Sequence, residues 1–144
     1  MTKDHDNSES PNFINLGIVQ NNQGEVLVVR RVKVEQGKGG KILKWAFPGG
    51  KQKLRENRKE CTEREILDET GYPVSWIKEI SLRVHPEISV IVVYHACKLK
   101  EEGTVKKPAQ PWEIAEVKWV KPEELGELFT TSIDPQVAKE LGIT

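Results

Sequence analysis

The chain has 144 residues, 37% of them hydrophobic and 31% charged, enough for one domain around one core. Lys plus Arg and Asp plus Glu both number 22. No global field therefore favours nucleic acid or an anionic membrane, and any handling of phosphate must rest on local groups. The first ten residues, MTKDHDNSES, lack an apolar signal core, and the longest apolar run, Ile88 to Cys97, is too short to span a bilayer and contains His95. Cys61 and Cys97 have no metal-ligand spacing and read as two buried free thiols, which makes a reducing cytoplasm the expected compartment.

Residues 1 to 11 read as a flexible polar arm, and 12 to 144 as a single domain. A strand is predicted at roughly Phe13 to Gln20. Asn21-Asn22-Gln23-Gly24 forms a turn, and the return strand runs from Val26 to about Val32, with Arg30 and Arg31 read as surface residues in preference to phosphate contacts. Lys33 to Lys44, with Gly37, Gly39 and Gly40, reads as a solvated loop bordering a pocket. It is no Walker motif, because no Ser or Thr follows the lysine. A short strand at Lys44 to Phe47 leads into Pro48-Gly49-Gly50, a tight turn that allows close backbone approach.

A capped helix follows. Asn57 is a good N-cap, Glu60 completes a capping box and Gly71 is a left-handed stop, so the helix runs roughly from Arg58 to Thr70. Helical spacing puts Glu65, Asp68 and Glu69 on one face. Clustered carboxylates repel unless a cation lies among them, and hard oxygen donors without Cys or His suit Mg²⁺ or Mn²⁺ better than zinc. Beyond the helix, strands are predicted at about Ser75 to Val84, Ile88 to Leu99 (the central one) and Trp112 to Val120. His85-Pro86-Glu87 forms a turn and Glu101 to Gln110 a charged loop. Short helices open at Pro122 and at Asp134-Pro135, the first reaching about Phe129 and the second ending near Gly142. His95 reads as a packed core histidine, while His85 is the better substrate contact.

The stretch from Gly50 to Tyr72, GKQKLRENRKECTEREILDETGY, resembles the Nudix box. Gly50, Glu56, Arg64, Glu65, Ile66, Glu69, Gly71 and Tyr72 stand at the family's spacing, and Asp68 replaces the first Glu of its Glu-Glu pair. The family's Gly-Pro or Pro-Gly loop before Glu56 is replaced by the more basic Gln52-Lys53-Leu54-Arg55. The resemblance implies an α/β/α sandwich around a mixed β-sheet, with the box as a loop-helix-loop at one end. It implies a Mg²⁺-dependent pyrophosphohydrolase, with Mn²⁺ as an alternative ion, that cleaves a nucleoside diphosphate linked to another group.

Carried over by position, Glu65, Glu69, Asp68 and Glu56 become metal ligands, with the shorter side chain of Asp68 leaving its role open. Arg64 joins the catalytic set by holding a box carboxylate. Glu113, just before the last strand, is the leading general base from outside the box, and Glu116 the alternative. Gly50, Lys53 and Arg55 are expected beside substrate, Gly50 through its backbone. A MutT-like enzyme releasing pyrophosphate from a (deoxy)nucleoside triphosphate is the leading reading. An ADP-ribose or nucleotide-sugar pyrophosphatase is the alternative, since Pro86 lies one residue from a position some ADP-ribose enzymes use. A module that binds nucleotide without hydrolysis stands against both. The expected partner is a nucleotide-type small molecule, with no nucleic acid and no membrane, and a homodimer is admitted by analogy with relatives.

Overall fold

Strand β1 (Phe13–Gln20) lies parallel to β6 (Ile91–Leu99), in register from Phe13 opposite Ile91 to Gln20 opposite Lys98. The computed structural model describes residues 13–37, 40, 42–102 and 110–143. The arm expected over residues 1–11 lies outside these residues, as do Lys38, Gly39, Lys41 and most of the loop expected over Glu101 to Gln110. The remaining elements are β2 (Val26–Gln36), β3 (Ile42–Ala46), β4 (Gly49–Lys51), α1 (Arg58–Thr70), β5 (Val74–Val84), β7 (Ile114–Val120), a 3₁₀ turn (Pro122–Glu124), α2 (Leu125–Leu128) and α3 (Pro135–Leu141).

The seven strands form one mixed sheet whose main path is β3-β2-β1-β6-β5. β1 and β2 meet only where the hairpin turns, at Gln20 opposite Val26. Beyond that point β4 takes the free edge of β1, while β7 and β3 flank β2. The sheet therefore splays, and the gap between its two limbs is where a cleft can open. β6 is an interior strand buried on both faces, as its apolar run predicts, but the middle of the path is β1.

Period-two alternation divides the core into two layers. Val19, Leu27, Val74 and Cys97 face α1, where Ile66 and Tyr72 meet them. Ile18, Val26, Val28, Val92 and Tyr94 face the C-terminal helices and pack on Leu125, Phe129, Val137 and Leu141. The result is an α/β/α sandwich, as the resemblance implies. Cys61 and Cys97 are both buried and free, and burial pushes each thiol up to about 12. Among the described residues no helix is long and apolar enough to cross a membrane.

The solvated loop expected over Lys33 to Lys44 is corrected. β2 continues to Gln36 and β3 begins at Ile42, with Glu35 opposite Leu43 and Gln36 opposite Ile42. Val32-Lys33-Val34-Glu35 alternates apolar with charged residues, and β-branched side chains favour extended backbone, so the strand outlasts the glycine and lysine signals. The last strand also starts later than expected, because residues 111–113 form a turn.

Gly17 sets how closely α1 approaches the sheet. A Cβ there would stand 2.3 Å from Ile66 Cδ1 and 3.5 Å from Thr62 Cγ2. Gly17→Ala is expected to destabilise the protein by about 1–3 kcal/mol. Ile66→Val removes the clashing methyl, so in that background the cost of Gly17→Ala should shrink. Urea denaturation of the four proteins measures this coupling, and strictly additive costs would contradict it.

Candidate functional site

Helix α1 is fixed at both ends by its own sequence. Asn57 Oδ1 accepts the Glu60 N–H at 2.7 Å, and Glu60 Oε1 accepts the Asn57 N–H at 3.0 Å. At the other end Gly71 takes φ 78°, and its N–H reaches the Leu67 carbonyl. Cys61, Thr62, Ile66 and Thr70 turn inward, and the acidic face turns toward β4 and the middle of β2.

Glu69 is only 3% exposed. Its Oε1 accepts the Gly49 N–H at 3.0 Å and its Oε2 accepts Arg31 Nη1 at 3.1 Å, while Arg31 Nη2 donates to the Gly49 carbonyl at 3.4 Å. Burial raises the carboxyl to about 7, against the pull of Arg31 and the Gly49 N–H. Gly49 has φ 151°, and a Cβ there would lie 2.0 Å from the Asn15 carbonyl oxygen, so only glycine lets β4 lie this close to β1. A Cβ on Gly50 would stand 2.5 Å from Glu65 Oε2. Glu65 and Glu69 thus reach the same Gly49-Gly50 segment from the same face of the helix.

Arg64 gathers the other carboxylates. Its Nε and Nη2 pair with Glu56, the latter at 3.0 Å, while Nη1 reaches Asp68 Oδ2 at 3.4 Å and Nη2 reaches Glu65 Oε2 at 3.4 Å. Glu56 Oε1 also accepts the Lys53 N–H at 3.0 Å. Burial acting alone would raise the Glu56 pKa, but Arg64 and Lys53 together hold it below the ordinary carboxylate value. For Glu65, burial prevails and the pKa is raised, with Asp68 and Glu113 adding to the repulsion.

Whether these residues suit a divalent cation is a question of donor chemistry. Four carboxylates with no sulfur and no imidazole form a hard donor set of the kind Mg²⁺ prefers. Among the described residues no three of them already converge as ready ligands. Instead the guanidinium groups of Arg31 and Arg64 occupy their oxygens. The chemistry fits, and those two arginines hold the positions a cation would compete for.

The remaining expected residues lie around this cluster. Glu113 is exposed in the turn before β7, its carbonyl accepting the Val32 N–H at 2.8 Å. With Arg31, Lys33 and Trp112 it lines an open groove of about 560 Å³. Glu116 instead pairs with Arg30 at 3.4 Å. Lys53 and Arg55 are exposed in the turn that carries Glu56, where Arg55 takes φ 68°. His85 lines a second, smaller cavity with Arg31, Trp45, Ile88, Val90 and Thr131, and its Nδ1 accepts the Glu87 N–H.

The reading of Arg31 as a surface residue is corrected: it is partly buried and touches both Glu69 and Gly49. A signal was available in the strand itself. Adjacent residues on a strand point to opposite faces, so two consecutive arginines cannot both face outward. Arg30 takes the outer side with Glu116 and Trp45, and Arg31, next along the strand, faces the other way toward Glu69.

Three comparisons bear on this arrangement. The family model of the NUDIX domain matches residues 14–141. The chain is 30% identical over 116 residues to a presumed 8-oxo-dGTP diphosphatase of Bacillus subtilis (strain 168), covering 75% of this chain and 65% of that protein. It is 32% identical over 93 residues to mRNA-decapping enzyme subunit 2 of Arabidopsis thaliana, covering 61% of this chain and 24% of that protein. The chain therefore spans about two thirds of the first relative and about a quarter of the second. A crystal structure of a MutT protein from Methanosarcina mazei Go1 superposes with a TM-score of 0.66 at 23% identity, covering 90% of this chain and 91% of that one.

The protonation of Glu69 has a direct consequence for stability. Its pKa is about 7 in the folded protein against an ordinary 4.5, so the folded state binds the extra proton between those values. Stability from this group is complete below pH 4.5 and is lost as pH rises through 7. In EDTA, Glu69→Gln should gain on the wild type by about 3 kcal/mol between pH 4.5 and 7, at about 1.4 kcal/mol per unit. Urea denaturation at several pH values checks this, and a constant gap between the two proteins would contradict it.

Proposed function

The chain belongs to the Nudix hydrolase family, and on that premise we propose that it is a Mg²⁺-dependent pyrophosphohydrolase converting a (deoxy)nucleoside triphosphate and water to the monophosphate and pyrophosphate. The observation that carries this reading is the cluster of Glu56, Glu65, Asp68 and Glu69 around Gly49-Gly50, opening onto a groove that holds Arg31, Lys33 and Glu113. The relationship to the presumed 8-oxo-dGTP diphosphatase supports the choice of substrate class.

A bound divalent ion neutralises phosphate charge and makes water a better nucleophile at neutral pH. Glu65, Glu69 and Asp68 would hold it, with Glu56 completing the set. Arg64 keeps Glu56 in one orientation and limits the mutual repulsion of the acids. Arg31 and Lys33 offer positive charge to phosphate oxygens along the groove. Glu113, exposed at the edge of the groove, accepts the proton of the attacking water at its carboxylate. The smaller cavity beside Arg31, walled by Leu16, Trp45, Ile88, Val90 and Val92, suits a flat, largely apolar ring with few polar atoms. Gly50 allows the backbone to lie against Glu65, while Lys53 and Arg55 border the entrance from the Glu56 turn. The same chemistry would cleave ADP-ribose or a nucleotide sugar, so the groove's preference is a matter of leaving group. Mn²⁺ would serve the same donors.

The test is release of a nucleoside monophosphate from a panel of deoxynucleoside triphosphates, oxidised deoxynucleoside triphosphates, ADP-ribose and nucleotide sugars, with Mg²⁺ and with EDTA. Glu69→Gln should lower kcat by at least about 100-fold on every accepted substrate, the scale of losing one major transition-state contact. EDTA should abolish turnover in the wild type. Wild-type rates in the Glu69→Gln variant would remove this residue from the site. Nucleotide binding without turnover under any metal would favour the non-hydrolytic module.

A further inference from the structure

A line of side-chain hydrogen bonds crosses the sheet and ends at the turn that carries Glu56. Trp76 Nε1, on β5, donates to His95 Nδ1 at 2.9 Å. His95, fully buried on β6, faces Asn15 Oδ1 on β1 through its Nε2 at 2.8 Å. Asn15 Nδ2 donates to Gln52 Oε1 at 2.8 Å, and Gln52 Nε2 donates to the Glu56 carbonyl at 3.0 Å.

The direction of this line is forced by its ends. An indole N–H can only donate and a peptide carbonyl can only accept. Every link between them then has one orientation. His95 must be neutral with its proton on Nε2, Asn15 must turn its oxygen to His95, and Gln52 must turn its NH₂ to Glu56. A protonated imidazole would set an N–H against the indole N–H. Burial lowers the His95 pKa to about 4, with Glu79 and Arg58 acting in opposite senses, so the neutral form prevails at neutral pH.

The turn that receives the last bond needs outside support. It is closed by the Glu56 N–H on the Lys53 carbonyl at 3.1 Å, and Arg55 sits in it at φ 68°. That region is natural for glycine and strained for a residue with a Cβ. A turn of this kind relaxes elsewhere unless its surroundings over-determine it.

We propose that Trp76, His95, Asn15 and Gln52 act in series as positioning residues for the acidic cluster, fixing the Glu56 turn so that its carboxylate is presented beside Arg64 in one place. The inference rests on reading Glu56 as part of a divalent-metal site. Gln52 is the link that matters most, because its side chain bonds to Asn15 on the sheet and to the Glu56 carbonyl in the turn. Trp76 sets the polarity from the far side of the sheet. Without its N–H the imidazole can shift its proton to Nδ1, the amides of Asn15 and Gln52 can rotate, and Gln52 can then turn an oxygen toward the Glu56 carbonyl, where the two repel.

Gln52→Met keeps side-chain length and removes its bonds, while Trp76→Phe removes the indole N–H together with one ring. The readouts are Mn²⁺ affinity by electron paramagnetic resonance of the free ion, melting temperature, and the ring-nitrogen signals of His95 by NMR. The wild type should bind Mn²⁺ and show the Nε2–H tautomer. Gln52→Met should weaken Mn²⁺ on the order of tenfold, the scale of losing support behind a ligand. Trp76→Phe should weaken it less and mix the two tautomers. The double variant should bind no more weakly than Gln52→Met alone, since the links act in series. Excess Mg²⁺ should restore most of the Gln52→Met turnover. Unchanged Mn²⁺ affinity in Gln52→Met overturns the inference, whether or not the melting temperature falls, and so do additive losses in the double variant. A wild type that holds no Mn²⁺ instead removes the metal reading itself. Should Trp76→Phe not fold, Gln52→Met, altered at a half-buried loop position, decides the matter.

Discussion

The carboxylate of Glu69 is buried at the junction of α1, β2 and β4, and its housing constrains all three. A charged group this far from water is tolerated only with partners close at hand. The Gly49 N–H meets one oxygen and Arg31 the other. Meeting the first requires β4 to lie against β1 so closely that position 49 has no room for a Cβ. Meeting the second requires β2 to present Arg31 on the face that looks toward α1. The splayed sheet and the short β4 strand thus surround one side chain, and the cavity beside Arg31 opens where the limbs part.

Charge balance explains why the cluster is stable yet incomplete. Glu56, Glu65, Asp68 and Glu69 face the two guanidinium groups of Arg31 and Arg64. Fully ionised, the acids are two positive charges short among these contacts. Protons can make up part of the shortfall, and burial first, then repulsion from neighbouring acids, raises the pKa values of Glu65 and Glu69 in that direction. A divalent cation would meet it with one particle and without protonating any oxygen. On the proposed reading the two routes would compete, and the protonation of Glu69 and the occupancy of the cluster would be thermodynamically linked.

Much of this was legible in the chain because it depends on local spacing. Asn57, Glu60 and Gly71 bound α1 at Arg58 and Thr70 by capping chemistry that needs no tertiary knowledge. Helical periodicity likewise puts Glu65 and Glu69 on one face, and the Gly-Gly pair marks a close approach. What could not be read depends on which strand meets which. Alternation turns Arg31 away from Arg30, but that Glu69 and Gly49 lie on that side depends on where α1 and β4 pack. The extension of β2 to Gln36 was hidden by glycines and lysines, although Val32 and Val34 alternate correctly. The line from Trp76 to Gln52 joins four separate segments, and no window of the sequence holds more than one of its members.

The two departures from the family pattern, at Asp68 and in the turn before Glu56, act on the same arginine. Arg64 grips Glu56 with two nitrogens, while its contacts to Glu65 and Asp68 are both 3.4 Å, near the limit of a useful hydrogen bond. A longer side chain at 68 would reach Arg64 more closely and compete with Glu56 for it. The shorter aspartate stays at the rim, 39% exposed, and leaves Arg64 to Glu56. Arg64 is therefore committed to the strained turn and only loosely attached to the helix acids. On the proposed reading, a cation can draw Glu65 and Asp68 away at little cost, whereas recruiting Glu69 means displacing Arg31 from a buried carboxylate. That displacement would free Arg31 at the mouth of the groove, where an anionic substrate arrives, and so couples filling of the acidic cluster to readiness of the phosphate-binding side.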